Sequence, residues 1–90
     1  MGMSAVQYKL MPESPETNLE KIKEVAKSKI KEKDGIFSNA EEVPIAFGLK
    51  SLTISFAFPE EKEIDELGNE LEKIEGVSSI ELIDYRRALG

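Results

Sequence analysis

Residues 51–58 read SLTISFAF, and this stretch decides the fold. Large apolar side chains alternate along it with small or mildly polar ones, which is the two-residue period of a β-strand. The strand is therefore predicted to have one buried face and one face that is open to solvent. The predicted buried face consists of Leu52, Ile54, Phe56 and Phe58.

Residues 5–11 form a second alternating stretch, which predicts the first strand of the chain. Val6, Tyr8 and Leu10 are predicted to face the core. The residues between them, such as Gln7, are predicted to line the open side of the same sheet.

Two further strands complete the predicted sheet. Residues 36–43 alternate poorly, but Phe37 and Val43, separated by polar residues, suit an edge strand, where Pro44 is tolerated near the end. The last strand is predicted over residues 77–85. Its two predicted faces are Ile80 with Leu82, and Glu81 with Ile83 and Tyr85.

The segment after the first strand has the periodicity of a helix. Thr17 followed by Glu20 has the form of a capping box, so the helix is predicted to begin near Asn18. Asp34 and Gly35 are predicted to end it. The predicted apolar face of this helix consists of Leu19, Ile22, Val25, Ala26 and Ile30.

A second helical segment has one apolar stripe on an otherwise acidic surface, and Gly76 is predicted to end it. Gly68 lies inside this segment, where glycine costs about 1 kcal/mol relative to alanine. Close approach of the helix to a neighbouring element would compensate for that cost, and a merely tolerated glycine is the alternative. The apolar stripe consists of Ile64, Leu67, Leu71 and Ile74.

The order strand, helix, strand, strand, helix, strand predicts an α+β fold, the ferredoxin-like two-layer sandwich. In this βαββαβ fold, a four-stranded antiparallel sheet carries two helices on one face. The small or weakly polar residues on the other face of the central strands agree with that arrangement. No linker or repeat interrupts the pattern, so residues 1–90 are predicted to form a single domain.

The composition disfavours several classes of function. The 90 residues include no cysteine and no histidine, which removes thiolate or imidazole metal ligands and histidine-based catalysis. An enzyme is therefore disfavoured, although catalysis by Lys, Asp, Glu, Tyr or Ser stays open; we expect no enzyme activity and no cofactor. The net charge of −6 would repel a phosphate backbone. Phe56 and Phe58 are predicted to lie on the buried face of their strand. We therefore expect no aromatic platform for stacking bases and no direct binding of nucleic acid.

The sequence also indicates where the protein works. No apolar run approaches the roughly 20 residues that are needed to cross a bilayer. Residues 1–10 lack the apolar region of a signal peptide. We therefore expect no membrane contact and a cytoplasmic location.

The loop predicted between the second and third strands, residues 44–50, carries large apolar residues where turn chemistry favours Asn, Asp or Ser. Two explanations remain open for Ile45 and Phe47. They either fold back onto the core or serve as an anchor for an apolar pocket on a partner.

Residues 44–52 read PIAFGLKSL, which is very similar to the signature segment of the elongation factor 1-beta family of archaea and of its eukaryotic exchange domain. Residues 11–20, MPESPETNLE, resemble the first loop and helix start of that family. The resemblance implies a ferredoxin-like exchange factor that promotes GDP release from the GTPase elongation factor 1-alpha during translation elongation. A small-molecule-sensing regulatory domain of the same fold is the alternative.

The resemblance also implies two contact sites for the GTPase. Phe47, with Ile45 and Gly48 beside it, would enter an apolar pocket of the partner. A basic residue at the C-terminal end would reach the nucleotide and magnesium region; Arg87 is the nearest match and Arg86 its rival, where eukaryotic relatives carry lysine. The antiparallel order puts these sites at opposite ends of the sheet, roughly 20 to 25 Å apart. The free protein is expected to be a monomer.

Overall fold

The computed structural model describes residues 2–87 and contains the six regular elements in the predicted order. A short 3₁₀ turn, Ala46–Gly48, lies between the second and third strands. The elements are β1 (Met3–Pro12), α1 (Leu19–Glu32), β2 (Ile36–Pro44), β3 (Lys50–Pro59), α2 (Ile64–Glu72) and β4 (Val77–Arg87).

All four strands form one antiparallel sheet in the order β2-β3-β1-β4. The strands with the clearest alternation, β1 and β3, are the central ones, and β2 is an edge strand as predicted. Val6 lies opposite Phe56, and Leu10 lies opposite Leu52, so the large side chains of both central strands share one face. This topology confirms the ferredoxin-like sandwich.

Both helices cover the same face of the sheet and build one core with it. The opposite face is open and polar: the Gln7 side-chain amide donates a hydrogen bond to the Ser55 hydroxyl across 2.9 Å. The predicted apolar faces of β1, β3 and both helices are therefore confirmed. The buried core consists of Val6, Tyr8, Leu10, Ile22, Ala26, Ile30, Leu52, Ile54, Phe56, Phe58, Leu67, Leu71, Ile74 and Val77.

Helix α1 begins where predicted but uses a different cap. The side-chain oxygen of Asn18 accepts a hydrogen bond from the Lys21 backbone N–H, so Asn18 and not Thr17 is the N-cap. Thr17 is engaged one turn earlier, where its hydroxyl oxygen accepts from the Ser14 backbone N–H at 3.2 Å. At the other end Asp34 takes a left-handed conformation with a φ of 66° and ends the helix as predicted.

Strand β4 departs from the predicted alternation because it contains a β-bulge. The pairing of β1 with β4 changes register between Gln7 and Tyr8, which leaves Ile83 without an opposite residue. The extra residue inverts the alternation beyond it. Tyr85 therefore packs against the core on the side of Ile80, and the prediction that it lies on the other face is wrong.

Gly68 lies where α2 packs over the Tyr8 side chain of β1. A Cβ atom at this position would be 2.7 Å from the Tyr8 hydroxyl oxygen and 3.4 Å from the ring carbon that bears it. Real Cβ atoms do not approach other atoms as closely as 2.7 Å. The predicted close approach is confirmed, and it explains a glycine in the middle of a helix.

We predict that Gly68→Ala lowers the free energy of unfolding by about 1–2 kcal/mol, because overpacking outweighs the gain in helix propensity. The same substitution in a Tyr8→Phe background should instead raise it by up to about 1 kcal/mol, because the clashing hydroxyl is gone. Urea denaturation of the four proteins measures both changes. The same sign in both backgrounds would contradict the proposed contact.

Candidate functional site

The hairpin between β2 and β3 ends in a tight, hydrogen-bonded tip. The Ile45 backbone N–H donates to the Leu49 carbonyl oxygen at 2.8 Å, and the Leu49 N–H donates to the Ala46 oxygen at 3.2 Å. Below the tip, the Ser51 hydroxyl donates to the Val43 carbonyl oxygen. These bonds hold the tip in one shape, although its side chains are largely exposed.

Phe47 is the most unusual residue of the tip. Its backbone has a φ of 62° and a ψ of 31°, the left-handed conformation that costs a non-glycine residue roughly 1–2 kcal/mol. Its side chain is 94% exposed, so the ring makes no compensating contact with the core. Gly48 follows with a φ of 75°. The strain and the exposed aromatic surface together make Phe47 a candidate functional residue.

The two explanations that the sequence left open therefore apply to different residues. Ile45 is partly buried beneath the tip, whereas Phe47 is the exposed one. The tip presents a single aromatic ring to solvent. No sequence signal predicts this conformation of Phe47, because bulky residues rarely adopt positive φ values.

Two arginines lie at the end of β4. Arg86 is opposite Ala5 on the open face of the sheet, and its Nε atom lies 3.1 Å from the Asp84 carboxylate. Arg87 is opposite Ser4, and it is exposed and directed to the helix-covered side because neighbouring residues alternate between faces. The structure thus separates two residues that look equivalent in the sequence. Residues two apart on a strand share a face, so the spacing of Asp84 and Arg86 could have indicated this ion pair.

The hairpin tip and the arginines occupy opposite ends of the sheet, as the topology predicted. Ser4 lies opposite both Phe58 and Arg87, so Arg87 is at the same height in the sheet as Phe58. The hairpin tip adjoins Lys50 at the other end of β3. Eight residues of β3 separate these two levels, or about 26 Å along the strand. The molecule is 42 Å long, so the two sites span much of its length.

The described part of the chain has few features of a catalytic pocket. Within residues 2–87 no group of three or more carboxylates is placed to hold a metal ion. Burial and the nearby Asp65 raise the pKa of Tyr8, but this phenol lies in the core beneath α2. No helix in the same range is long and apolar enough to span a bilayer. The exposed tip and the arginine end instead suit a domain that acts by binding.

Comparison with known proteins identifies the class of binding domain. The sequence profile of the EF-1 guanine nucleotide exchange domain matches residues 5–87, and the chain belongs to this family of exchange factors, which are not enzymes. The chain is 39% identical to elongation factor 1-beta of Methanothermobacter thermautotrophicus over 99% of this chain and 100% of that protein. It is 36% identical to elongation factor 1-beta of Methanosarcina acetivorans, over 97% and 99% of the two chains. Elongation factor 1-beta of Nanoarchaeum equitans is 42% identical over 88% and 98%.

Solved structures with a similar fold are more distant in sequence. The C-terminal domain of the MgtC protein from Mycobacterium tuberculosis has a TM-score of 0.71 at 13% identity, over 97% of this chain and 89% of that one. The ACT domain of a GTP pyrophosphokinase from Chlorobium tepidum has a TM-score of 0.61 at 14% identity, over 88% and 96%. These likenesses establish the fold alone, and they give no support to a small-molecule-sensing function.

We predict that Phe47→Gly raises the free energy of unfolding by about 0.5–1 kcal/mol. Glycine relieves the left-handed strain, and this gain exceeds the cost of its greater freedom in the unfolded chain. Urea denaturation provides the measurement. A loss of stability would mean that the ring packs against the domain, and this would contradict the assignment of Phe47 as a projecting side chain.

Proposed function

We propose that this chain promotes GDP release from elongation factor 1-alpha by binding that GTPase at two places at once. The observation that carries the proposal is the strained backbone of Phe47 together with its 94% exposed side chain. Family membership supports the identity of the partner. The distance of the arginines from Phe47 supports a bridge between two parts of the GTPase.

Phe47 is the anchor in this proposal. An aromatic side chain that enters an apolar pocket contributes a large share of the binding energy of an interface. The hydrogen-bonded tip holds the backbone of Phe47 before the partner arrives. Less ordering entropy is then lost on binding. Ile45 and Gly48 flank Phe47 in the tip, and we assign them to the same contact.

Arg87 is the residue that we assign to the nucleotide end. The Arg86 guanidinium is already held by Asp84 at 3.1 Å. Arg87 forms no ion pair with any of residues 2–87, so its five donors remain available for a phosphate oxygen or for a carboxylate that binds magnesium. Arg87 can therefore bind the partner without first breaking an ion pair, and this favours it over Arg86.

The proposed mechanism is displacement. A GTPase holds its phosphates through backbone N–H groups, a lysine and a magnesium ion. A guanidinium that competes with the magnesium ion for a carboxylate that binds it weakens the grip on GDP, while Phe47 supplies the binding energy. The coupling is reciprocal, so bound GDP weakens binding of the exchange factor by the same factor. The exchange factor makes and breaks no covalent bond.

Other properties of the chain agree with this role. A net charge of −6 disfavours direct binding to nucleic acid. The bulge at Ile83 twists the free edge of β4, which protects it against pairing with a second copy and favours a monomer. Because translation elongation takes place in the cytoplasm, we propose that the protein acts there.

The test of this function follows release of a fluorescent GDP analogue from an archaeal elongation factor 1-alpha. The chain should accelerate release in a saturable manner at micromolar concentrations, with excess unlabelled GDP present to prevent rebinding. An unchanged release rate at saturating concentrations would overturn the proposal. Reduced release of the analogue in the presence of the chain would do so as well.

We predict that Phe47→Ala raises the concentration for half-maximal acceleration by about 30-fold, which corresponds to a loss of about 2 kcal/mol. The maximal release rate should change little, because this contact binds the GTPase without touching the nucleotide. Leu82→Ala is the matched control, because Leu82 is 44% exposed but lies in the middle of β4. Equal effects of the two substitutions would contradict the anchor.

We predict that Arg87→Ala lowers the maximal release rate by roughly ten- to a hundred-fold, the range expected for one charge-assisted hydrogen bond. Half-maximal concentration should change much less. Arg86→Ala is the control and should reduce the rate less than three-fold. A larger effect at Arg86 than at Arg87 would transfer the role to Arg86, and no effect at either would remove this contact from the mechanism.

A further inference from the structure

A pocket lies beside the hairpin tip, between the loop before α1 and the ends of β2 and β3. It encloses about 290 Å³ and is open to solvent. Gly48, the residue after Phe47, forms part of its wall. We call it the junction pocket, and it is lined by Pro12, Ser14, Pro15, Thr17, Asn18, Leu19, Glu20, Glu42, Gly48 and Lys50.

One wall of the junction pocket is the loop of residues 13–18, which is well ordered by its own hydrogen bonds. The Ser14 N–H donates to the Thr17 hydroxyl oxygen, and the Thr17 N–H donates to the Ser14 carbonyl oxygen. The Glu13 N–H donates to the Gly76 oxygen at 2.9 Å, which ties the loop to the start of β4. The pocket is therefore formed before any partner binds.

The lining of the junction pocket carries more acidic than basic side chains. It holds two glutamates, Glu20 and Glu42, against one lysine, Lys50. Glu20 is engaged by Lys23, whose ammonium lies 2.7 Å from its carboxylate. Glu42 forms no ion pair within the described part of the chain, so its carboxylate is available to a basic group from outside.

The junction pocket brings together two segments that are far apart in the sequence. Residues 44–52 carry Phe47, and residues 11–20 are the second stretch that resembles the elongation factor 1-beta family. Neither Phe47 nor Arg87 explains this second stretch. A pocket that continues the surface around the anchor gives it a role in the same interface.

We propose that the junction pocket takes a lysine or arginine side chain of the GTPase, next to the apolar pocket that receives Phe47. This inference rests on the proposed function. A basic side chain fits because Glu42 offers a carboxylate and the two glutamates of the lining outnumber its one lysine.

The test compares Glu42→Gln with Glu41→Gln in the GDP-release assay. The two residues are neighbours and lose the same charge, but Glu41 pairs with Thr53 on the open face of the sheet and is not part of the pocket. Glu42→Gln should raise the half-maximal concentration about three- to ten-fold and flatten its dependence on salt. Glu41→Gln should change it less than two-fold.

A second measurement reports contact directly. The chain has no cysteine, so Glu42→Cys and Glu41→Cys each introduce a single thiol. Binding of the GTPase should slow maleimide labelling at position 42 at least ten-fold and leave position 41 unchanged. Equal protection at both positions, or protection at neither, would overturn the proposed contact of the GTPase with the junction pocket.

The remaining outcomes separate this inference from the function on which it rests. If Phe47→Ala weakens binding but the Glu42 and Glu41 variants behave alike, the junction pocket is not part of the interface and only this inference fails. If the wild-type chain does not accelerate release, both fail. If Glu42→Gln changes only the self-association of the chain, measured by sedimentation, the occupant is a second copy and the inference is overturned.

Discussion

Strand β1 is paired on both sides, with β3 along one edge and β4 along the other, and the rest of the sandwich depends on this pairing. Register with two neighbours requires the large side chains of β1 to share one face, where both helices cover them. A slip by one residue would exchange the buried and exposed sets. The same antiparallel pairing sends the β2–β3 hairpin to one end of the sheet and the end of β4 to the other.

Function follows from this geometry because a rigid sheet keeps two exposed contacts at a constant separation. The hairpin adds its own local order, and the domain tolerates a left-handed phenylalanine there. Such strain persists only where the surrounding structure is stable enough to support it. In the proposed mechanism the protein needs no catalytic group of its own, since it would bind one end of its partner and disturb the nucleotide contacts at the other.

Local patterns in the sequence predicted the central strands and both helices, because burial on one face imposes a period that can be counted. The bulge at Ile83 could not be predicted, because an extra residue in a strand leaves no mark on composition. Thr17 and Asn18 are both good caps, so only the hydrogen bonds decided between them. The sequence indicated the candidate site residues but not their geometry. The conformation of Phe47 depends on backbone angles, and the face on which each arginine lies depends on the inverted alternation of β4.

The most direct test of two separate contacts on one rigid domain is a chemical-shift map of the isotopically labelled chain as unlabelled elongation factor 1-alpha is added. Backbone amides should shift or broaden in two groups, residues 45–50 and residues 86–87, with the middle of the open face around Gln7 and Ser55 changing little. One continuous group of perturbed amides across that open face, with Phe47 unaffected, would contradict the account.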